Sequence, residues 1–412
     1  MIWTTIILIN VVFIAFTIIC YVKAAKIPGS EIGRKLDEAI KPMPSLFDPS
    51  KNDKKIFLYI AYILSAFSGL LILFTLLLCQ RVVIAIGCVK VASRAMESMP
   101  SILIFPFLPF LMAVMLVAWW LVVAIFLYSD SQVVKYSGGG YSLTWDYTTR
   151  YLLIYHLFGL LWTWQFIVGF SYVVIAGIFS SYYWCRGDSS LASSTMITSL
   201  YRAVTYHLGS IALGSLIVAV IQLVRMIFQY LNKKFKKLRS IAWLPSITMS
   251  CLGCCICALE KILKFVNRNA YIVIAMKGTN YCSSASRAVS LIISNALRVA
   301  TVTIVGDVVI WLGKVFVSCT CGIAALLMSE AKMYSDASSR TYISSPLFPV
   351  IFSLIVAYFV AHLFMQLYDI GIDTILLCFC EDCERHNGSP SFAPPSLMTA
   401  VGALRKPTTA FE

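Results

Sequence analysis

Long apolar runs separated by short polar connections dominate the sequence. Runs of roughly 20 apolar residues recur, and each is long enough to cross a lipid bilayer as an α-helix. Backbone groups in lipid must be hydrogen-bonded within the chain, so a helix is the natural spanning element. The sequence therefore predicts an all-α, polytopic helical membrane protein with six to eight transmembrane helices. The six clearest spans are residues 2–22, 56–79, 101–128, 151–179, 302–328 and 346–367.

Two further segments, 204–231 and 241–257, are apolar enough to span, and they decide between six and eight crossings. A basic run, Lys233 to Arg239, lies between them. If neither segment spans, this run stays on the inner side with most of the other Lys and Arg residues, as the positive-inside rule favours. If both span, the run moves outside and the bias reverses slightly. The distribution of charge alone therefore favours six crossings.

Residues 1–380 are expected to form one transmembrane transporter domain, followed by a disordered cytoplasmic tail at 381–412 that contains several prolines. No basic region precedes the apolar run 2–22, and no clear cleavage site follows it. The pattern therefore predicts a span and not a removable signal. Because the chain starts inside this first span, we expect a truncated gene product.

Composition narrows the classes of function. Apolar residues make up 59% of the chain and charged residues 13%, whereas a soluble domain usually carries about twice that charge. The net charge of +14 could suit nucleic acid. Most Lys and Arg residues, however, lie in the connections between apolar runs, where they face anionic lipid. We therefore expect membrane lipids as partners and no nucleic acid.

Catalytic and metal-binding motifs are missing from the sequence. It contains no HExxH pair and no GxSxG elbow, and its four His residues are scattered. The cysteines at 251, 254, 255 and 257 are too crowded for an ordinary zinc site unless Cys380 and Cys383 supply a second pair. Acylation or apolar packing explains the cluster more simply. We expect no enzymatic activity, no cofactor, no metal site and no catalytic residue.

Polar side chains inside a span are costly, so each is a candidate functional group. Asp307 and Lys314 lie seven residues apart on one face of a helix. They could contribute charge to a solute path. The alternative is that the two groups neutralise one another along a contact between helices.

Aromatic side chains offer a second candidate. Trp119 lies in the third clear span, and Tyr155 and Trp162 share a face of the fourth. Aromatic faces attract an organic cation by roughly 0.5–2 kcal/mol each and require no hydrogen bond from it. An interfacial belt or packing between helices would use the same residue types.

Several long segments resemble the choline transporter-like proteins, the plasma-membrane choline transporter family. They include SSYYWCRGD (180–188), YRAVTYHLGSIALGSLI (201–217), CCICALEKILKFVNRNAYIVIAM (254–276), NYCSSASRAV (280–289), NALRVATVTIVGDVVIWLGKV (295–315) and LLCFCEDCERHNGSP (376–390). The resemblance implies transport of choline and related ethanolamine compounds, about ten spans and two cytoplasmic termini. It favours eight spans in this chain, which would lack the first two spans of the family and the long extracellular loop.

These observations predict a transporter for choline and related organic cations, driven by gradient and membrane potential. The predicted substrate-binding residues are Trp162, Tyr155, Trp119 and Asp307. The alternative is a truncated, non-transporting scaffold or a regulatory partner of a full-length transporter. The expected location is the plasma membrane, and an organellar membrane is the alternative. Whether the chain forms a homo-oligomer is left open.

Overall fold

The computed structural model describes residues 53–135, 140–185, 192–238, 244–329 and 347–395, with a few separate residues outside these ranges. Most of the predicted span 2–22, most of the connection 23–55 and residues 399–412 of the predicted tail lie outside the described residues. The chain divides into two compact units, Met1–Ile86 and Gly87–Glu412.

Helix α1, Asp53–Ser98, contains the predicted span 56–79 and is 46 residues long. Within the first unit, the ring of Tyr62 packs edge-on against Tyr21, with centroids 5.9 Å apart. In the second unit, the last turns of α1 bury Cys88, Val91 and Ala95, which repeat at helical spacing. One face of residues 87–98 is therefore part of the second unit's core.

Two helices and a small hairpin open the second unit. After a short 3-10 helix, Pro100–Ile104, α2 covers Phe107–Ser129 and α3 covers Tyr147–Trp184. The connection between α2 and α3 contains the antiparallel strands β1, Gln132–Lys135, and β2, Tyr141–Thr144.

Six further helices follow in the second unit. They are α4, Ala192–Tyr206; α5, Leu208–Leu238; α6, Leu244–Lys277; α7, Tyr281–Ser294; α8, Ala296–Ser329; and α9, Leu347–Arg385. Local sequence sets the sharp turn between α6 and α7. Gly278 adopts a φ of 70°, which is readily available only to glycine, and ends α6. The side chain of Asn280 then accepts the Ser283 N–H at 3.0 Å and caps α7.

Within the described residues, five segments are long and apolar enough to cross a membrane: Pro100–Ser129, Tyr147–Trp184, Leu208–Lys234, Ala296–Ser329 and Leu347–Arg385. The prediction of an all-α polytopic membrane protein is therefore confirmed. The ambiguous segment 204–231 corresponds largely to one of these helices. Helix α6 is as long as α8 but carries Glu260, Lys261 and Lys264 in its middle turns.

The long helices alternate in direction. Side-chain contacts show that α2 and α3, α5 and α6, and α8 and α9 are antiparallel pairs. The contacts join Trp120 to His156, Asp130 to Thr149, Ile211 to Tyr271, Arg225 to Glu260, Ser318 to Leu354, and Cys321 to Ser353. Helices α3, α6 and α9 run parallel, because Tyr183 and Lys277 both meet the end of α9. Helices α5 and α6 thus form a hairpin inside the bundle. Of the two, α5 alone is among the five candidate spans of the described residues, so the choice between six and eight crossings stays a prediction.

Glycines allow the closest contacts between helices. A Cβ atom at Gly371 of α9 would lie 2.6 Å from the ring of Phe179 in α3. A Cβ atom at Gly214 of α5 would lie 2.5 Å from Asn267 Oδ1 and 2.6 Å from the ring of Tyr281. These distances are too short for a side chain, so the packing of α9 on α3 and of α5 on α6 depends on glycine.

Buried carboxylates connect the helix ends at one side of the bundle. The Glu381 side chain is 2% exposed and pairs with Lys277 of α6 at 2.7 Å, Arg287 of α7 at 2.8 Å and Arg385 at 2.9 Å. Beside it, Asp382 accepts the Tyr183 hydroxyl at 3.0 Å. Four helices are therefore joined through two adjacent acidic residues.

The segment after Arg385, the last residue of α9, folds back onto this helix. The backbone N–H groups of Ser391 and Phe392 donate to the carboxylate of Asp382 at 3.2 and 2.9 Å. The His386 ring also lies 2.8 Å from that carboxylate. Of the predicted tail, residues 381–385 form the last turn of α9, and Asp382 bonds to residues 386, 391 and 392 of the segment that follows.

Replacing Glu381 by Gln should lower the free energy of unfolding by about 3–5 kcal/mol, because several cations would lose a buried partner. Thermal and denaturant unfolding of the purified full chain in detergent would measure the loss. The matched control is Glu384→Gln, whose side chain is 32% exposed and pairs with Arg287 alone among the described residues; it should cost about 1 kcal/mol or less. Equal losses in the two variants would contradict a structural role for the buried pairs.

Candidate cation site

A cavity of about 130 Å³ lies between α8 and α9. Its lining residues are Asp307, Ile310, Trp311 and Lys314 from α8, and His362, Met365, Gln366 and Asp369 from α9. The prediction that Asp307 and Lys314 share a helix face is confirmed, since both border this cavity. Polar and charged groups from two antiparallel helices therefore converge on one small volume.

The spacing of the lining residues explains how the cavity forms. On each helix the four residues lie at positions i, i+3, i+4 and i+7, which is one face of an α-helix. Close approach of the helices is possible because α8 has a glycine, Gly313, opposite Met365 of α9. A Cβ atom at 313 would lie 2.6 Å from the methyl carbon of Met365.

An arginine of a third helix reaches the cavity residue Asp369. The Nη2 atom of Arg268 in α6 donates to Asp369 at 3.1 Å and also pairs with Asp373, one turn further along α9. Its guanidinium group lies over the ring of Tyr172 in α3, 5.8 Å from the centroid. Arg268 therefore connects α6 and α3 to the wall of the cavity.

The fixed charges around the cavity leave an excess of negative charge. The carboxylates are Asp307, Asp369 and Asp373, and the cations are Arg268 and Lys314. With all five ionised, the group carries one net negative charge. A net negative charge attracts a small cation, and the attraction is stronger the less water surrounds the charge.

Trp311 adds an aromatic face to the same cavity. A tryptophan ring attracts a cation, including one that offers no hydrogen bond. Carboxylates and an aromatic ring together suit a small organic cation. His362 and Gln366 also line the wall and could hydrogen-bond a hydroxyl or amine group of such a cation.

The structure separates the predicted aromatic residues from Asp307. Trp119, Tyr155 and Trp162 are not among the residues that line the cavity. Trp162 donates from Nε1 to the backbone oxygen of Ala212 in α5 at 3.2 Å, and its ring is 38% exposed. It therefore makes a packing contact between α3 and α5.

Trp119 and Tyr155 are 69% and 74% exposed. Their sequence neighbours, Trp120 and His156, make the contact between α2 and α3, with stacked rings 5.3 Å apart. Neighbouring residues on a helix point about 100° apart, so Trp119 and Tyr155 are directed away from this contact. A cation cage around these two residues stays a prediction.

Trp311, Gln366 and Asp369 are candidate binding residues that the sequence prediction did not include. The repeat of 362, 365, 366 and 369 at helical spacing was a readable signal, because it puts three polar side chains on one face of an apolar helix. The pairing of this face with that of Asp307 depends on the contact between α8 and α9.

Among the described residues, no group of three or more His, Cys, Asp or Glu side chains is arranged to hold a metal ion. Cys251, Cys254 and Cys255 are exposed on α6, and Cys380 is buried in α9. The described part of the chain therefore gives no support to a metal site that combines the two cysteine groups.

Comparison with known proteins assigns the chain to a family. The profile of a family described as plasma-membrane choline transporter matches residues 62–384. Choline transporter-like protein 2 of Dictyostelium discoideum is 38% identical over 332 residues, which cover 80% of this chain and 51% of the relative. Choline transporter protein 1 of Arabidopsis thaliana is 33% identical over 427 residues, which cover 97% of this chain and 60% of the relative.

Choline transporter-like protein 2 of Xenopus laevis is 31% identical over 444 residues, covering 97% of this chain and 61% of the relative. The chain thus spans about half to three fifths of the length of these curated relatives. The matched residues contain α2 to α9 almost completely, including the whole cavity. The chain belongs to the plasma-membrane choline transporter family.

Proposed function

We propose that this chain carries choline and related organic cations across a membrane, and that the cation binds in the cavity between α8 and α9. The observation that supports this most is the excess negative charge around a cavity that also contains an aromatic ring. Asp307 and Asp369 supply the charge, and Trp311 supplies a face that needs no hydrogen bond from the ligand.

The chemistry of choline fits this combination of groups. A quaternary ammonium has no N–H donor, so charge and aromatic contact contribute most of its recognition. Gln366 and His362 could bond the hydroxyl group of choline. Ethanolamine, a primary ammonium when protonated, would instead donate directly to Asp307 or Asp369. Both cations are therefore proposed as substrates.

The driving force would be the concentration gradient together with the membrane potential. A monovalent cation that moves inward gains roughly 2.3 kcal/mol per 100 mV of inside-negative potential. This gain supports an accumulation of about 50-fold without a second energy source. Facilitated transport at the plasma membrane or at an organellar membrane is consistent with this reasoning.

The aromatic residues Trp162, Tyr155 and Trp119 are proposed as an additional contact for the cation outside the cavity. Aromatic rings along an entry path would guide a cation without binding it tightly. Trp162 is the best placed of the three for a test, because its ring is only partly exposed and stacks near Phe158.

Vesicles that contain the full chain should take up labelled choline faster than empty vesicles when the interior is negative. Asp307→Asn should raise KM about tenfold, because a bound cation loses roughly 1.4 kcal/mol when one nearby charge is removed. The matched control is Asp146→Asn, which removes an exposed carboxylate at the start of α3. Uptake no faster than in empty vesicles would refute transport by this chain and favour the scaffold or regulatory-partner alternative.

Lys314→Gln should have the opposite effect to Asp307→Asn. Removal of this cation makes the cavity more negative, so KM for choline should fall about three- to tenfold. Lys264→Gln is the control, since Lys264 pairs with Glu260 on α6 at 2.7 Å and does not line the cavity. A KM that rises in Lys314→Gln would show that attraction by net charge does not govern binding.

Trp162→Ala should raise KM about 2- to 30-fold if the ring contacts the cation, in line with the usual strength of such contacts. Trp162→Phe is the informative control. It keeps an aromatic face but loses the hydrogen bond to Ala212. If both variants lose thermal stability and neither changes KM, Trp162 is a packing residue only.

A further inference from the structure

Asp369 lies at the boundary between the cavity and an internal ion pair. Its carboxylate lines the cavity beside Asp307 and also accepts a hydrogen bond from Arg268 Nη2 at 3.1 Å. A carboxylate that already has a cationic partner attracts a second cation less strongly. Arg268 therefore lowers the affinity of the cavity for any mobile cation.

The surroundings of Arg268 allow its guanidinium group to shift its bonding between two carboxylates. The same nitrogen, Nη2, serves both Asp369 and Asp373, which are one turn apart on α9. The Nε atom is buried and makes no hydrogen bond within the described residues. The Cζ atom of the guanidinium group lies over the ring of Tyr172, 5.8 Å from its centroid. Asp373 is more buried than Asp369, so it is the better anchor when Asp369 is taken by another cation.

We propose that Arg268 is a tethered competitor of the transported cation at Asp369. With the cavity empty, Arg268 shares its charge between Asp369 and Asp373. A cation that enters the cavity takes over Asp369, and Arg268 stays paired with Asp373. This inference rests on the proposed function, and Arg268 acts through Asp369 as a positioning residue.

The competition would have a use in transport. Arg268 belongs to α6 and stacks on α3, whereas Asp369 belongs to α9. A cation that displaces Arg268 from Asp369 weakens one connection between α6 and α9. When the cation leaves, Arg268 neutralises the exposed charge again. Competition by Arg268 therefore lowers the affinity of the cavity for the cation and speeds release of the cation, so that the carrier does not bind it too tightly to release it.

Two substitutions should change affinity in opposite directions. Arg268→Gln removes the competitor, so the dissociation constant for labelled choline and KM should both fall about three- to tenfold, while Vmax falls because release slows. Asp373→Asn removes the alternative partner of Arg268, so Arg268 binds Asp369 more tightly and both constants should rise by a similar factor. If Arg268 had only a structural role, the two substitutions would not change the dissociation constant and KM in opposite directions.

The controls separate charge from folding. Lys261→Gln removes one positive charge from an exposed position of α6 and should leave both constants unchanged. Arg268→Lys keeps the charge but loses the planar guanidinium that serves two carboxylates, so it should give an intermediate affinity even if Arg268→Gln folds poorly. Thermal unfolding of each purified full-length variant identifies damaged protein.

Equilibrium binding and vesicle flux together distinguish the two proposals. Tighter choline binding in Arg268→Gln without flux in any variant would support the competitor and refute transport. Flux in the wild-type chain with unchanged constants in both Arg268 variants and in Asp373→Asn would refute the competitor alone. If neither choline nor tetramethylammonium binds or moves, both proposals are wrong.

Discussion

A charge placed between apolar helices has to find an opposite charge, and this requirement organises the bundle. Removing a carboxylate from water costs several kcal/mol, which is recovered only where a cation and hydrogen bonds meet it. Glu381 meets this condition fully, with several cations from three helices. Asp307, Asp369 and Asp373 meet it incompletely, because Arg268 and Lys314 are the only Lys or Arg side chains that the described residues place beside them. The first arrangement stabilises the helix ends, and the second leaves an attraction for a mobile cation.

Glu381 and two carboxylates of the second arrangement, Asp369 and Asp373, lie on the same helix, α9, with Asp369 about three turns before Glu381. Its half towards Arg385 is buried against α3, α6 and α7, and this fixes where Asp369 and Asp373 stand relative to Arg268. Its other half packs mainly on α8, where Gly313 and Gly322 allow close contact. The cavity forms where these halves meet. A rigid, paired helix end next to a less satisfied charged cavity is a sensible arrangement for a carrier, since the binding residues need support while their charges stay available.

Local patterns predicted some of these features and left others open. The apolar runs predicted the helices. The seven-residue spacing of Asp307 and Lys314 predicted that both lie on one helix face, which forms one wall of the cavity. The polar face with Gln366 and Asp369 was readable from its spacing, but its place opposite Asp307 depends on the pairing of α8 with α9, which the sequence does not show. The charge count weighs the basic run near Lys233 and carries no information on how α5 packs against α6, where Gly214 lies against Asn267. Tryptophans were ambiguous because belts, packing contacts and cation cages use the same residue.

The central claim is that the excess negative charge between α8 and α9 binds the transported cation. An experimental structure of the full chain at saturating choline would test it most directly. The account predicts ligand density in contact with Asp307, Trp311 and Asp369, with Arg268 withdrawn towards Asp373. Density elsewhere in the bundle, with this cavity empty and Arg268 still bonded to Asp369, would contradict it.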